Sequence, residues 1–123
     1  MTTAGNLDWM IVFYIEANGD SPVEEFLGSL DPKTQARFLW SIEQLRARNL
    51  QAGEPLVRHI EGKVWELRRE SGTNTYRLFY VFLSGRRILF LHGFQKKTPK
   101  TPRPEIEIAL RRLQRFVEQE GGD

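Results

Sequence analysis

The sequence predicts an α+β fold: a small, mainly antiparallel β-sheet with two N-terminal helices and a C-terminal helix. Three observations lead there. Two helical segments open on prolines, Pro22 and Pro32. From Val64 to Phe94 the apolar period becomes that of strands, interrupted by short turns. A helical apolar stripe then closes the chain, after a joint that carries Pro99, Pro102 and Pro104. At 123 residues, 40% of them apolar, the chain is long enough for one core, and a single domain over 1–123 is expected.

The elements follow in order. Trp9 to Ile15 (WMIVFYI) is rich in β-formers and reads as the first strand. Ser21 is placed to cap a short helix, with Pro22 at its first position and Glu24 completing a capping box; Gly28 ends it. Asp31 caps a longer helix that starts at Pro32 and runs to about Asn49, with Phe38, Ile42 and Leu45 as its stripe and Leu39 and Trp40 beside it. Gly53 and Pro55 break that helix, and a short strand is expected near Leu56–Ile60.

In Val64–Glu70 (VWELRRE), Trp65 and Leu67 face one way, Glu66 and Arg68 the other. Ser71 to Asn74 is a turn. Thr75–Leu83 is apolar on both faces, as a central strand is, with Arg77 its one charge. Ser84-Gly85 makes a tight hairpin into a further strand over Arg86–Phe94. On it His92 alternates with Ile88, Phe90 and Phe94. Gln95 to Thr98 is expected to leave the sheet. The last helix starts near Arg103, with Ile106, Leu110, Leu113 and Val117 inward and Arg111, Arg112 and Arg115 away.

Charge is unevenly spread. Residues 1–62 hold 5 Lys/Arg against 9 Asp/Glu, while residues 63–115 hold 13 against 4, a block of +9. Such a block is either a solvated face or a surface for nucleic acid or an acidic partner. The chain has no cysteine, and His59 and His92 lie far apart, so no disulfide, metal or other cofactor is expected. No segment reaches the length of a membrane span and the start lacks the pattern of a signal peptide, so a cytoplasmic protein is expected.

Arg77 is the most informative residue. A guanidinium on an apolar strand needs an acid, such as Glu66 on the neighbouring strand, or an anion; its planar fork suits phosphate. Glu66 and Arg68 lie roughly 7 Å apart on one face. With Arg77 across the hairpin, a carboxylate and two guanidiniums meet, a set fit for phosphodiester chemistry on RNA. Glu66 is then the general base, or simply a cross-strand ion partner. His92 is a core histidine or an acid/base near neutral pH. Lys96 and Lys97 leave the sheet on a stiff proline joint, as a basic rim or as solvated lysines. Lys63, Arg69, Lys100 and Arg103 are expected at most to steer RNA. Tyr76 and Tyr80, opposite to Arg77, are expected in the core.

Residues 62–102, GKVWELRRESGTNTYRLFYVFLSGRRILFLHGFQKKTPKTP, resemble the HigB-like, phage-derived branch of the RelE/ParE toxin superfamily. The marks are the W-E-L-R strand, the Y-R-x-x-Y strand, and a strand ending H-G-F-x-K-K-T before prolines and a helix. The resemblance implies a RelE-like sheet and the toxin of a type II toxin–antitoxin pair, neutralised by a helix-turn-helix antitoxin protein. RelE- and HigB-like members are endoribonucleases that cleave mRNA in the ribosomal A site by metal-independent 2′-OH attack. ParE-like members poison DNA gyrase instead. A third reading is a non-enzymatic module that binds nucleic acid or antitoxin. By resemblance Arg77 contacts phosphate, Arg68 matches the L-R arginine, and Lys96 and Lys97 match the basic pair at the last strand's end. RelE's strand lysines fall at Val64 and Glu66 here, and no His-Tyr pair follows His92. The general base therefore stays open between Glu66, His92 and a lysine of depressed pKa.

Overall fold

The computed structural model describes residues 9–48 and 56–120. Its elements are β1 (Met10–Phe13), α1 (Pro22–Gly28), α2 (Pro32–Arg48), β2 (Val57–Glu61), β3 (Val64–Ser71), β4 (Asn74–Leu83), β5 (Arg87–Lys96) and α3 (Arg103–Glu120). This is the α+β architecture that the sequence predicts. The five strands lie in the order β1-β5-β4-β3-β2. All neighbours are antiparallel except β1, which runs parallel to β5. The expected short strand is β2. The expected breakers Gly53 and Pro55, and the expected helix end at Asn49, lie outside the described residues.

The sheet is covered on both faces, which is why β4, its middle strand, is apolar on both. On one face Leu67, Leu78, Tyr80, Ile88 and Phe90 meet Val23 and Leu27 of α1 and Phe38, Ile42 and Leu45 of α2. On the other face Val64, Phe79, Val81, Leu89, Leu91 and Phe94 meet Ala109, with Ile106, Leu110, Leu113 and Phe116 of α3 around them. Tyr76 packs on the α1/α2 side, with Tyr80 buried there, as expected.

Local chemistry sets the helix starts, and one start differs from expectation. Asp31 caps α2: Thr34 N donates to Oδ2 at 3.1 Å and Thr34 Oγ1 to Oδ1 at 2.7 Å. Ser71 Oγ also donates to Asp31 Oδ1, at 3.0 Å, tying that helix start to the end of β3. The capping box at α1 does not form. Ser21 makes no capping hydrogen bond, and its Oγ is buried without a partner. Pro22, and Glu24 and Glu25 in the first turn, are what favour this start.

The largest departure is in β5. Tyr80 pairs with Phe90 but Phe79 pairs with His92, so the register shifts by one residue at Leu91. A one-residue bulge reverses the inward–outward pattern beyond it. His92 therefore does not share a face with Ile88 and Phe90; it stands with Phe79 and Phe94 on the α3 side. Nor does the chain leave the sheet at Gln95. Gln95 and Lys96 still pair with Tyr76 and Thr75, and Thr75 Oγ1 donates to Lys96 O at 3.0 Å. Arg112 also departs from expectation. It is largely buried, and its Nη1 donates to Leu91 O at 2.8 Å.

Gly93 sits in the reversed segment, facing α1. A Cβ there would lie 2.3 Å from the Phe26 ring. Gly93→Ala is therefore expected to lose about 1–3 kcal/mol by overpacking. A Phe26→Leu partner change should recover part of that loss, as thermal melts of the two single variants and the double variant would show.

Candidate functional site

Four strands bring one charged cluster to the α3-side face, beyond the area that α3 covers. Arg58 of β2 stands opposite Glu66 of β3, Arg68 of β3 opposite Arg77 of β4, and Thr75 of β4 opposite Lys96 of β5. Alternation puts Arg58, Glu66, Arg68, Arg77 and Lys96 on the same face. They line a cavity of about 180 Å³ together with Leu56. Four cations face one carboxylate, so the cavity carries a net positive charge that suits an anion.

Glu66 holds the cluster together. It is 3% exposed and Arg77 is 6% exposed. Arg77 Nε lies 3.2 Å from Glu66 Oε2, and Arg58 Nη2 lies 3.3 Å from Oε1. The Arg77 contact is ionic without being a hydrogen bond: the N–H is not aimed at the oxygen, and both atoms are buried with that demand unmet. Burial pulls the Arg77 guanidinium below its usual range, and Glu66 works against that shift. Arg77 Nη1 also donates to Tyr76 O at 3.3 Å. Partial burial, then repulsion from Arg77, likewise lowers the proton affinity of the Lys96 amine, with Glu66 opposing and Arg58 and Arg68 adding to it. Lys96 Nζ donates to Pro99 O at 2.7 Å, which fixes the amine at the cavity edge.

The other sequence-predicted residues lie elsewhere. Lys97 follows the last residue of β5 and is exposed. Lys63 is exposed in the β2–β3 turn. Arg69 lies on the opposite face, where its Nη2 and Nε donate to Ser41 Oγ at 2.6 and 3.0 Å and its guanidinium stacks 5.8 Å over Trp40. Arg103 is ion-paired, at 2.6 Å to Glu61 and 3.3 Å to Glu107. Lys100 is exposed on a second cavity. Arg58 was missed by sequence reasoning. Its signal was its place in a short strand that alternation aligns with Glu66.

His92 is outside the charged cavity, in a clamp that fastens α3 to the sheet. Its Nε2 is 2.5 Å from Glu105 Oε1, and Arg112 Nη1 is 3.3 Å from its Nδ1. Arg112 Nη2 continues to Glu16 at 3.3 Å. A neutral ring carrying its proton on Nε2 satisfies both neighbours. Burial lowers the His92 pKa; the hydrogen bond and charge of Glu105 oppose that, and Arg112 adds to it. Among the described residues no group of three or more His, Cys, Asp or Glu is placed to hold a metal ion. No helix among them is long and apolar enough to cross a membrane.

The family model for phage-derived, Gp49-like proteins (DUF891) matches residues 25–114. The chain belongs to this family. The family falls within the RelE/ParE-like toxin superfamily. The matched segment runs from α1 into α3 and includes every residue that lines the charged cavity. No curated protein matches the chain. Gp49-like membership is consistent with a toxin of a toxin–antitoxin pair.

Two predictions arise from this geometry. Glu66→Gln leaves a buried guanidinium short of its counter-charge and should lower stability by about 3 kcal/mol in denaturant melts. Glu66→Leu combined with Arg77→Met should restore most of that loss. The second concerns pH. A histidine whose folded pKa is depressed binds more protons unfolded than folded, so its contribution is complete above the unfolded value near 6.5 and is lost as pH falls. The melting temperature should drop between pH 7 and 5. His92→Gln should flatten that drop without changing the further loss below about pH 4.5, where Glu43 and Glu61, both held low by arginines, take up protons.

Proposed function

We propose that this protein is the toxin of a type II toxin–antitoxin pair, a HigB-like, ribosome-dependent mRNA endonuclease neutralised by a helix-turn-helix antitoxin. The observation that carries this reading is the cluster of Arg58, Arg68, Arg77 and Lys96 around Glu66 on an open sheet face. Family membership supports it. The cavity is too small for a whole nucleotide and suits one phosphate group, since small-molecule sites start at roughly 300 Å³.

In this reading Arg68 and Arg77 grip the scissile phosphate and stabilise the charge that builds on it. Glu66, occupied by two guanidiniums, positions Arg77. Lys96 is the general base, because burial and its cationic neighbours make its neutral amine more available than that of an ordinary lysine. It takes the 2′-OH proton. The 2′-oxygen attacks phosphorus, the bond to the 5′-oxygen breaks, and a proton from solvent completes the leaving hydroxyl. The products are a 2′,3′-cyclic phosphate and a 5′-hydroxyl end. The mRNA and the ribosome that holds it are the partners of the reaction.

Single-turnover cleavage of A-site mRNA on programmed ribosomes tests this. Wild type should cut, with a rate that rises with pH as Lys96 loses its proton. Lys96→Ala should lower the rate by about 10²–10⁴-fold and abolish that rise. Arg68→Ala should lower it by about 10²–10³-fold with the pH dependence intact. Intact mRNA under conditions in which an authentic RelE-like toxin cuts would overturn the proposal.

A further inference from the structure

A second cavity adjoins the charged one. It measures about 400 Å³ and is lined by Arg58, His59, Ile60, Pro99, Lys100, Thr101 and Ile106. Arg58 borders both cavities. The bond from Lys96 Nζ to Pro99 O joins their walls on the other side, because Lys96 lines the first and Pro99 the second. The two cavities thus form one track, with the second under the proline joint and against the start of α3.

The two halves differ in chemistry. The first is almost wholly charged. The second is mixed: Ile60, Pro99 and Ile106 are apolar, and the exposed side chains of Arg58, His59 and Lys100 form a polar rim. Its volume falls within the roughly 300–1,000 Å³ of small-ligand sites. One of its lining groups, Thr101 Oγ1, is buried without a hydrogen-bond partner. A cavity with apolar side chains, a polar rim and one unmet hydroxyl, beside a positively charged one, has the chemistry that suits a nucleotide: a flat ring, polar at its edge, attached to a phosphate.

We infer that this second cavity takes the nucleobase of the residue next to the scissile phosphate, and that Thr101 reads its edge. Ile60, Pro99 and Ile106 hold the ring faces, Arg58 spans from base to phosphate, and Lys100 meets the next phosphate along the strand. Thr101 is thus a specificity-determining residue. The inference rests on the proposal that the charged cavity binds a phosphodiester, and adds to it where the base goes.

Short 2′-O-methyl RNA trinucleotides, which bind without being cut, test it by fluorescence anisotropy. One set carries each base in turn, and another carries an abasic sugar at each position. Wild type should lose about tenfold in affinity when one position is abasic, as one base contact supplies. Thr101→Val should reduce the differences among bases at that position and leave abasic binding unchanged. That variant only exchanges an unpartnered hydroxyl for a methyl group, so its melt should match wild type. If abasic and full trinucleotides bind wild type equally while Arg68→Ala weakens both, the base site is wrong and the phosphate site stands. If Thr101→Val leaves base discrimination unchanged, Thr101 is not the reader and the inference fails. If no trinucleotide binds and Arg68→Ala changes nothing, the phosphate reading falls as well.

Discussion

A buried guanidinium needs a counter-charge, and the arrangement of this sheet follows from that need. Arg77 lies on the central strand and is almost sealed from water. Transfer of such a group out of water costs several kcal/mol when it is unpaired. Glu66, from the next strand, supplies the compensation, and Arg58 from the strand beyond takes Glu66's second oxygen. Three strands are thereby locked in register. A slip of one residue would turn Glu66 to the apolar α1/α2 face and leave Arg77 without its counter-charge.

The same face must also be half of the core. Phe79, Val81, Leu89 and Leu91 lie under α3, while Arg68, Arg77 and Lys96 lie beyond it. Two features draw that boundary. Pro99 and Pro102 keep the chain from continuing as sheet, so α3 starts only at Arg103. The bulge at Leu91 sets which lysine reaches the cluster. Without it, the parity of β5 would send Lys97 to this face and turn Lys96 away. The His92 clamp closes the boundary from the helix side, joining Glu105 and Arg112 of α3 to β5.

The elements were legible because their signals are local. Alternation in VWELRRE, the doubly apolar run at Thr75–Leu83, and the prolines at helix starts each report one element. They place α2, β3, β4 and α3 within a few residues. The meeting of Glu66, Arg68 and Arg77 was legible too, because a short turn fixes the pairing of β3 with β4. What was hidden depends on distant pairings. The bulge has no signature in the run RILFLHGFQKK, so His92 was given the wrong face and the sheet was ended too early. Ser21 and Glu24 carry the residues of a capping box, yet the Ser21 Oγ is buried where it finds no partner. Arg112 looked like a surface arginine because helical periodicity cannot show that a strand carbonyl and Glu16 await it.

The charged cavity also limits how catalysis could work in it. After burial, it is the cations that would bind a phosphate that lower the proton affinity of Lys96. These two effects are coupled. A phosphodiester entering the cavity offsets the positive charge, and the amine then holds its proton more tightly. On the proposed reading, binding therefore strengthens the base while making its neutral form scarcer. A site of this kind gains little from gripping its substrate harder. Its rate depends on the 2′-hydroxyl being delivered in line with the phosphate, because alignment supplies what affinity cannot. On the proposed reading the ribosome provides that alignment. A small sheet with one positioned arginine pair and one perturbed lysine then suffices.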